Sequence, residues 1–147
     1  MLATCNALGI GFVPWSPVGA GFLTGAIDAR TTFDAKNDFR AAFPRFSKEF
    51  LKLNMPIVDW LKAYAAKKGA TPSQVALAWL ADRPAVTSVI LGARTTEQLA
   101  DNLAAAELQL SAGDVDRLTR ASEPETGVYP YGPMAREQRS RKMEGGR

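Results

Sequence analysis

No histidine occurs in these 147 residues, and cysteine occurs once, at Cys5. Histidine is the commonest metal ligand and the side chain that titrates nearest neutral pH, so Ser-His-Asp and Cys-His catalysis are excluded. A lone cysteine excludes an internal disulfide framework and any multi-cysteine zinc site, and no metal is expected. No apolar run approaches the roughly eighteen residues that a membrane span needs. The N-terminus also lacks the basic start and apolar centre of a signal peptide, so the expectation is a soluble chain in the cytoplasm with no membrane contact. What is present is globular in composition, 46% hydrophobic against 22% charged. A chain near this length is expected to form one compact domain that buries about two-thirds of its unfolded surface.

The net charge of +3 has a single origin. Residues 133–147 carry five cations (Arg136, Arg139, Arg141, Lys142 and Arg147) against Glu137 and Glu144, and the other residues balance. The charge distribution sets residues 1–132 apart, as the expected domain, from a basic polar tail over 133–147. Such a tail is expected to be solvated rather than to bind nucleic acid.

Along the chain, residues 1–8 read as a short helix closed by Gly9 in the left-handed conformation. Ile10, Phe12 and Val13 then form an apolar run that predicts a buried strand. Glycines 19, 21 and 25 follow, in a loop whose backbone can approach a ligand closely. Residues 26–54 have poor periodicity and five isolated phenylalanines, which favours a functional connection over a solvated linker. Ile57, Val58, Leu61, Tyr64 and Ala65 have amphipathic helical spacing, closed by Lys67, Lys68 and Gly69. Thr71-Pro72-Ser73-Gln74 opens a capped helix expected to run through Leu80, with Val75, Ala76, Trp79 and Leu80 on its apolar face. Residues 86–91 (VTSVIL) predict a second buried strand. The helix after it is capped by Thr95 or Thr96 and buries Leu99, Leu103 and Ala106. A last helix starts at Ser111, with Asp114 three residues on, and carries Val115 and Leu118. Helix, strand, loop and helix in this order make an α/β chain that is rich in helix.

Both strand ends lead into segments suited to anions. Beside Gly92 and Arg94, the free amides and positive pole of a helix N-terminus favour a phosphate, and an arginine adds a two-pronged partner. Gln98, Asp101 and Asn102 share one face of that helix and can hydrogen-bond a heterocycle. Without a ligand, the same pattern is a capped, charged helix start. At the first strand end, Trp15 offers a flat apolar face, and Ser16 with residues 18–21 an accessible backbone. Together they can stack a ring and cradle a pyrophosphate. The alternative there is a core tryptophan followed by an ordinary turn. Trp79 reads as core, and Cys5 as a small buried hydrophobe, since nothing nearby activates it.

GIGFVPWSPVGAGFLTG and SVILGARTTEQLADN resemble the seventh and eighth strands, with their following loops, of the aldo/keto reductase family. Pro44-Arg45-Phe46, TPSQVALAWL and LSAGDVDRL occur in the order that the family uses. The resemblance covers about residues 3–131. It implies the C-terminal part of a (β/α)8 TIM barrel, incomplete here because such barrels take about 250 residues. It further implies an oxidoreductase that reduces small aldehydes or ketones with NADPH. Trp15 would stack on the nicotinamide, and Ser16, Pro17, Val18, Gly19 and Ala20 would line the pyrophosphate. Gly92 and Arg94 would hold the 2′-phosphate, and Gln98, Asp101 and Asn102 would contact the adenine end. Val18 stands where many relatives have leucine, and Leu91 where many have proline or isoleucine. The family's catalytic Asp, Tyr, Lys and His belong to earlier strands. With no histidine, and with Tyr64, Tyr129 and Tyr131 in a helix and the tail, no catalytic residue is assigned and the chain alone is expected to be inactive.

Two other functions compete with a reductase portion: a non-catalytic nucleotide-binding module, and a protein-interaction module that uses an exposed sheet edge and the tail. Two parallel strands leave unpaired edges and an uncovered apolar face. The chain is therefore expected to be marginally stable, or to depend on a missing N-terminal half or another chain.

Overall fold

The computed structural model describes residues 1–123, so the basic stretch 133–147, Tyr129 and Tyr131 lie outside the described residues. Five α-helices are present among the described residues: α1 (Leu2–Ala7), α2 (Lys48–Lys68), α3 (Pro72–Ala81), α4 (Thr96–Leu103) and α5 (Ala112–Ala121). Helix α1 ends as its sequence predicts, with Gly9 at φ +65°. Thr71 accepts from the Gln74 amide while Gln74 reaches back to the Thr71 N–H, which completes the capping box of α3. Thr95, rather than Thr96, caps α4, and Ser111 caps α5.

Three helices make the main core. Leu61, Tyr64 and Ala65 of α2 pack with Val75 of α3 and Leu118 of α5, and Leu23, Ile57, Trp60, Trp79, Leu108 and Leu110 close around them. Trp60 stacks on Tyr64 with ring centroids 4.9 Å apart. Trp79 packs as expected of a core residue, and its Nε1 donates to the Val115 carbonyl and to Thr119 Oγ1, both at 3.3 Å.

Helix α2 begins at Lys48, nine residues before the periodicity that announces it at Ile57. Pro56 lies inside it. Proline lacks the N–H of a helical bond and marks helix starts more often than interiors, and this hides the first half of α2 from the sequence. That half contributes Leu51, fully buried with Ile27 and Phe46 in a second, smaller core. Phe33 meets Phe46 edge-on at 5.2 Å. Ile27, Phe33 and Phe46 thus anchor residues 26–47, while Phe39 and Phe43 are exposed, and Ala20 and Phe22 of the glycine loop rest on this second core.

The two predicted strands exist as extended segments joined by two isolated parallel bridges, Phe12 to Val86 and Trp15 to Ile90. Phe12 N–H donates to the Ala85 carbonyl at 2.7 Å, Thr87 N–H to Phe12 at 3.1 Å, and Ile90 N–H to Pro14 at 3.0 Å. Between the bridges one segment advances three residues and the other four, a bulge that interrupts the ladder. A Cβ at Gly11 would lie 2.9 Å from Thr87 Cγ2, so any larger residue there must push the Thr87 side chain aside. The expectation that both strands are buried is corrected: Ile10, Val13 and Ile90 are about half exposed. Two segments pair only with each other, and among the described residues nothing covers their second face. Helix α4 needs the same correction. Leu99, Leu103 and Ala106 are exposed, and the flank turned toward α3 carries Asp101 instead. Cys5 is half-buried and free.

Candidate functional site

Because the bridges are parallel and Trp15 pairs directly with Ile90, the chain leaves both segments at the same end. Residues 16–21 and 92–94 therefore emerge side by side, as the two anion-suited segments must if they serve one ligand. Trp15 is 82% exposed in this chain.

The loop after Trp15 is a run of tight turns. Gly19 N–H donates to Ser16, Gly21 N–H to Val18, Phe22 N–H to Gly19 and Leu23 N–H to Val18, each to the carbonyl. Ser16 Oγ accepts the Ala20 amide at 3.3 Å. Ser16 and Ala20 adopt φ +56° and +54° without being glycine. Left-handed backbone costs a side-chain-bearing residue about 1–2 kcal/mol, and such strain concentrates where a chain is shaped for a ligand. Pro17, Val18 and Gly19 are half-buried within these turns.

Arg40 holds the loop from below, a connection that the sequence does not reveal. Its Nη1 donates to the Ala20 carbonyl at 3.3 Å, its guanidinium covers the Phe33 ring at 4.6 Å, and Asp38 pairs with it through three hydrogen bonds. The Arg40 contacts hold the Asp38 carboxyl below its ordinary range, so the pair is fully charged at neutral pH. Asp38-x-Arg40 spacing has no helical rationale, and only the fold brings it under Ala20.

At the second segment, Gly92 and Arg94 are exposed, and Arg94 forms no ion pair among the described residues. Gln98 and Asn102 turn back onto this bend: Gln98 Oε1 accepts the Arg94 N–H at 2.9 Å, and Asn102 Nδ2 reaches the Gly92 carbonyl at 3.5 Å. Asp101 points the other way. Its carboxylate accepts from Thr71 Oγ1 at 3.2 Å and from Gln74 Nε2 at 2.9 Å. Thr95 and Thr96 hydroxyls and the Glu97 amide hold the Glu97 carboxyl below its usual range, the amide first, as befits the positive end of α4.

Tyr64 is not placed for proton transfer at this site. It is buried in α2 and its hydroxyl donates to Asp114 Oδ2 at 2.7 Å, where burial first, and then the carboxylate, push its pKa up to about 12. No helix among the described residues is long and apolar enough to cross a membrane.

The sequence profile of the aldo/keto reductase family matches residues 1–123. The aldo-keto reductase str7 of Strobilurus tenacellus is 34% identical over 123 residues, covering 84% of this chain and 36% of that protein. The solved glycerol dehydrogenase of Gluconobacter oxydans superposes with a TM-score of 0.72 over 86% of this chain and 39% of its own, at 22% identity, a likeness of fold alone. The chain thus spans little more than a third of the length of the relatives it matches.

Proposed function

Because the chain belongs to the aldo/keto reductase family, we propose that it is the C-terminal, NADP(H)-binding portion of an oxidoreductase that reduces small aldehydes or ketones. The observation that carries this is the exposed Trp15 indole, at the shared end of two parallel segments, between a strained glycine loop and a bend bearing Arg94. The residues fit a phosphorylated dinucleotide. Trp15 offers a face for the nicotinamide, residues 16–20 a backbone for the pyrophosphate, and Gly92 with Arg94 a charged bend for the 2′-phosphate, beside Gln98 and Asn102. When bound, NADPH supplies the hydride for the carbonyl carbon. This chain's part is to orient the cofactor and neutralise its phosphates. The acid–base residues and the remaining strands of the (β/α)8 barrel belong, in this reading, to sequence that this chain does not contain.

Fluorescence titration with NADPH tests the reading. Saturable binding is expected, stronger than for NADH, and weakened about tenfold or more by Arg94→Ala, since a charge-assisted bond contributes about 1.5–3 kcal/mol. Equal binding of NADPH by wild type and Arg94→Ala would remove the phosphate assignment.

The exposed Ile10, Val13, Ile90, Leu99 and Leu103 favour a second reading, in which this face also joins another polypeptide. Its occupant in the leading reading is the missing part of the barrel. Reconstitution of carbonyl reduction on adding that part, with no activity from this chain alone, distinguishes a split reductase from a purely binding module.

A further inference from the structure

Helix α4 buries none of its own eight residues, and the nearest apolar anchor, buried Ala105, lies just past its C-terminal end. The hydrogen bonds that tie α4 itself to the start of α3 converge on Asp101. Gln74 Nε2 donates at 2.9 Å both to the Asp101 backbone carbonyl and to its Oδ1, while Thr71 Oγ1 donates to Oδ2 at 3.2 Å. The same Gln74 accepts the Thr71 N–H through Oε1 at 3.0 Å, so both ends of its amide are engaged and its orientation is fixed. Three residues before Asp101, Gln98 holds the Arg94 amide, and one residue after it, Asn102 reaches the Gly92 carbonyl. The bend at 92–94 is therefore tied to α4 by Gln98 and Asn102, and α4 is tied to the cap of α3 through Asp101.

We propose that Thr71, Gln74 and Asp101 form a clamp that positions the 92–94 bend, and thereby sets the preference for dinucleotides that carry a 2′-phosphate over those that lack it. Asp101 is then a positioning residue and not an adenine contact. Both its carboxylate oxygens already accept bonds from α3, which leaves Gln98 and Asn102 as the polar side chains of α4 turned toward the bend. The selectivity part rests on the NADP(H) reading above; the placement of α4 does not.

Two measurements on the full chain test the clamp. The first is amide hydrogen exchange over residues 92–98 without nucleotide. The second is the affinity for NADP+ and for NAD+. Asp101→Ala and Gln74→Leu are expected to speed exchange over 92–98 at least about tenfold while α2 and α5 keep their protection. Both are expected to weaken NADP+ about tenfold but NAD+ by less than about threefold, so that the preference shrinks. Asp101→Asn still offers an acceptor to Gln74 and a group for Thr71, and is expected to keep the preference within about threefold of wild type. An unchanged NADP+ to NAD+ ratio in Asp101→Ala, even with both affinities reduced, would overturn positional control of the bend. Unchanged exchange over 92–98 would overturn the clamp itself. If the wild-type chain binds neither nucleotide, the cofactor reading and the selectivity fall together, while the exchange rates still decide whether the clamp places α4.

Discussion

Leu61 and Ile90 sit in sequence patterns that promise burial equally, one on an amphipathic helix and one in a short apolar run, yet Leu61 is 2% exposed and Ile90 53%. The first belongs to α2, which α3 and α5 cover. The second belongs to a pair of extended segments whose outer face meets nothing among the described residues. Periodicity states which face is apolar; a second surface is needed before that face is buried. The half of the molecule that carries the candidate site is therefore the open half.

The sharpest way to break this comparison is to truncate both residues. Leu61→Ala is expected to cost about 2–5 kcal/mol in urea unfolding, as for any well-packed core leucine. Ile90→Ala should cost no more than about 0.5 kcal/mol. Equal losses would mean that the extended pair is as well packed as the helices. Gly11→Ala comes next, since its new Cβ would press on Thr87 Cγ2; about 1–3 kcal/mol is expected, largely recovered by adding Thr87→Ala.

The helical half should also reveal its polar fastening through pH. Tyr64 has its pKa raised from 10.0 to about 12 by burial and by Asp114, so the fold favours the neutral phenol. The stability this brings is complete below about pH 10 and is lost as pH rises toward 12. Asp114 has its pKa lowered from 3.8, first by the Ser111 hydroxyl and then by Tyr64, so its contribution is present above that value and is lost as pH falls below it. Tyr64→Phe should flatten the alkaline limb of a stability-against-pH curve, and an unaltered limb would count against the contact. The smallest effect on stability is expected from Leu99→Lys with Leu103→Lys, within about 0.5 kcal/mol, because both side chains are exposed. The same pair should reduce concentration-dependent association in gel filtration, and a wild-type chain that stays strictly monomeric would argue against an open apolar face.

Features set by near neighbours are legible in the sequence. The Thr71 capping box, the Ser111 cap, the Gly9 helix end and the place of both extended segments all follow from short motifs. Features decided at long range are not. Pro56 concealed the first half of α2, and nothing in the pattern of α4 shows that its polar flank, rather than Leu99 and Leu103, turns toward α3. At the site, the sequence indicated Trp15, the glycine loop and Arg94. It could not show that Arg40, twenty residues on, supports Ala20, or that Asp101 faces away from the bend that Gln98 and Asn102 hold.

The most direct test of the account follows nitrogen-labelled protein by NMR as NADP+ is added. The Trp15 indole and the Arg94 backbone amide are expected to shift together, with one midpoint, while the Trp60 and Trp79 indoles stay in place. A shift at only one of the two positions, or midpoints that differ, would contradict a single dinucleotide held between both strand ends.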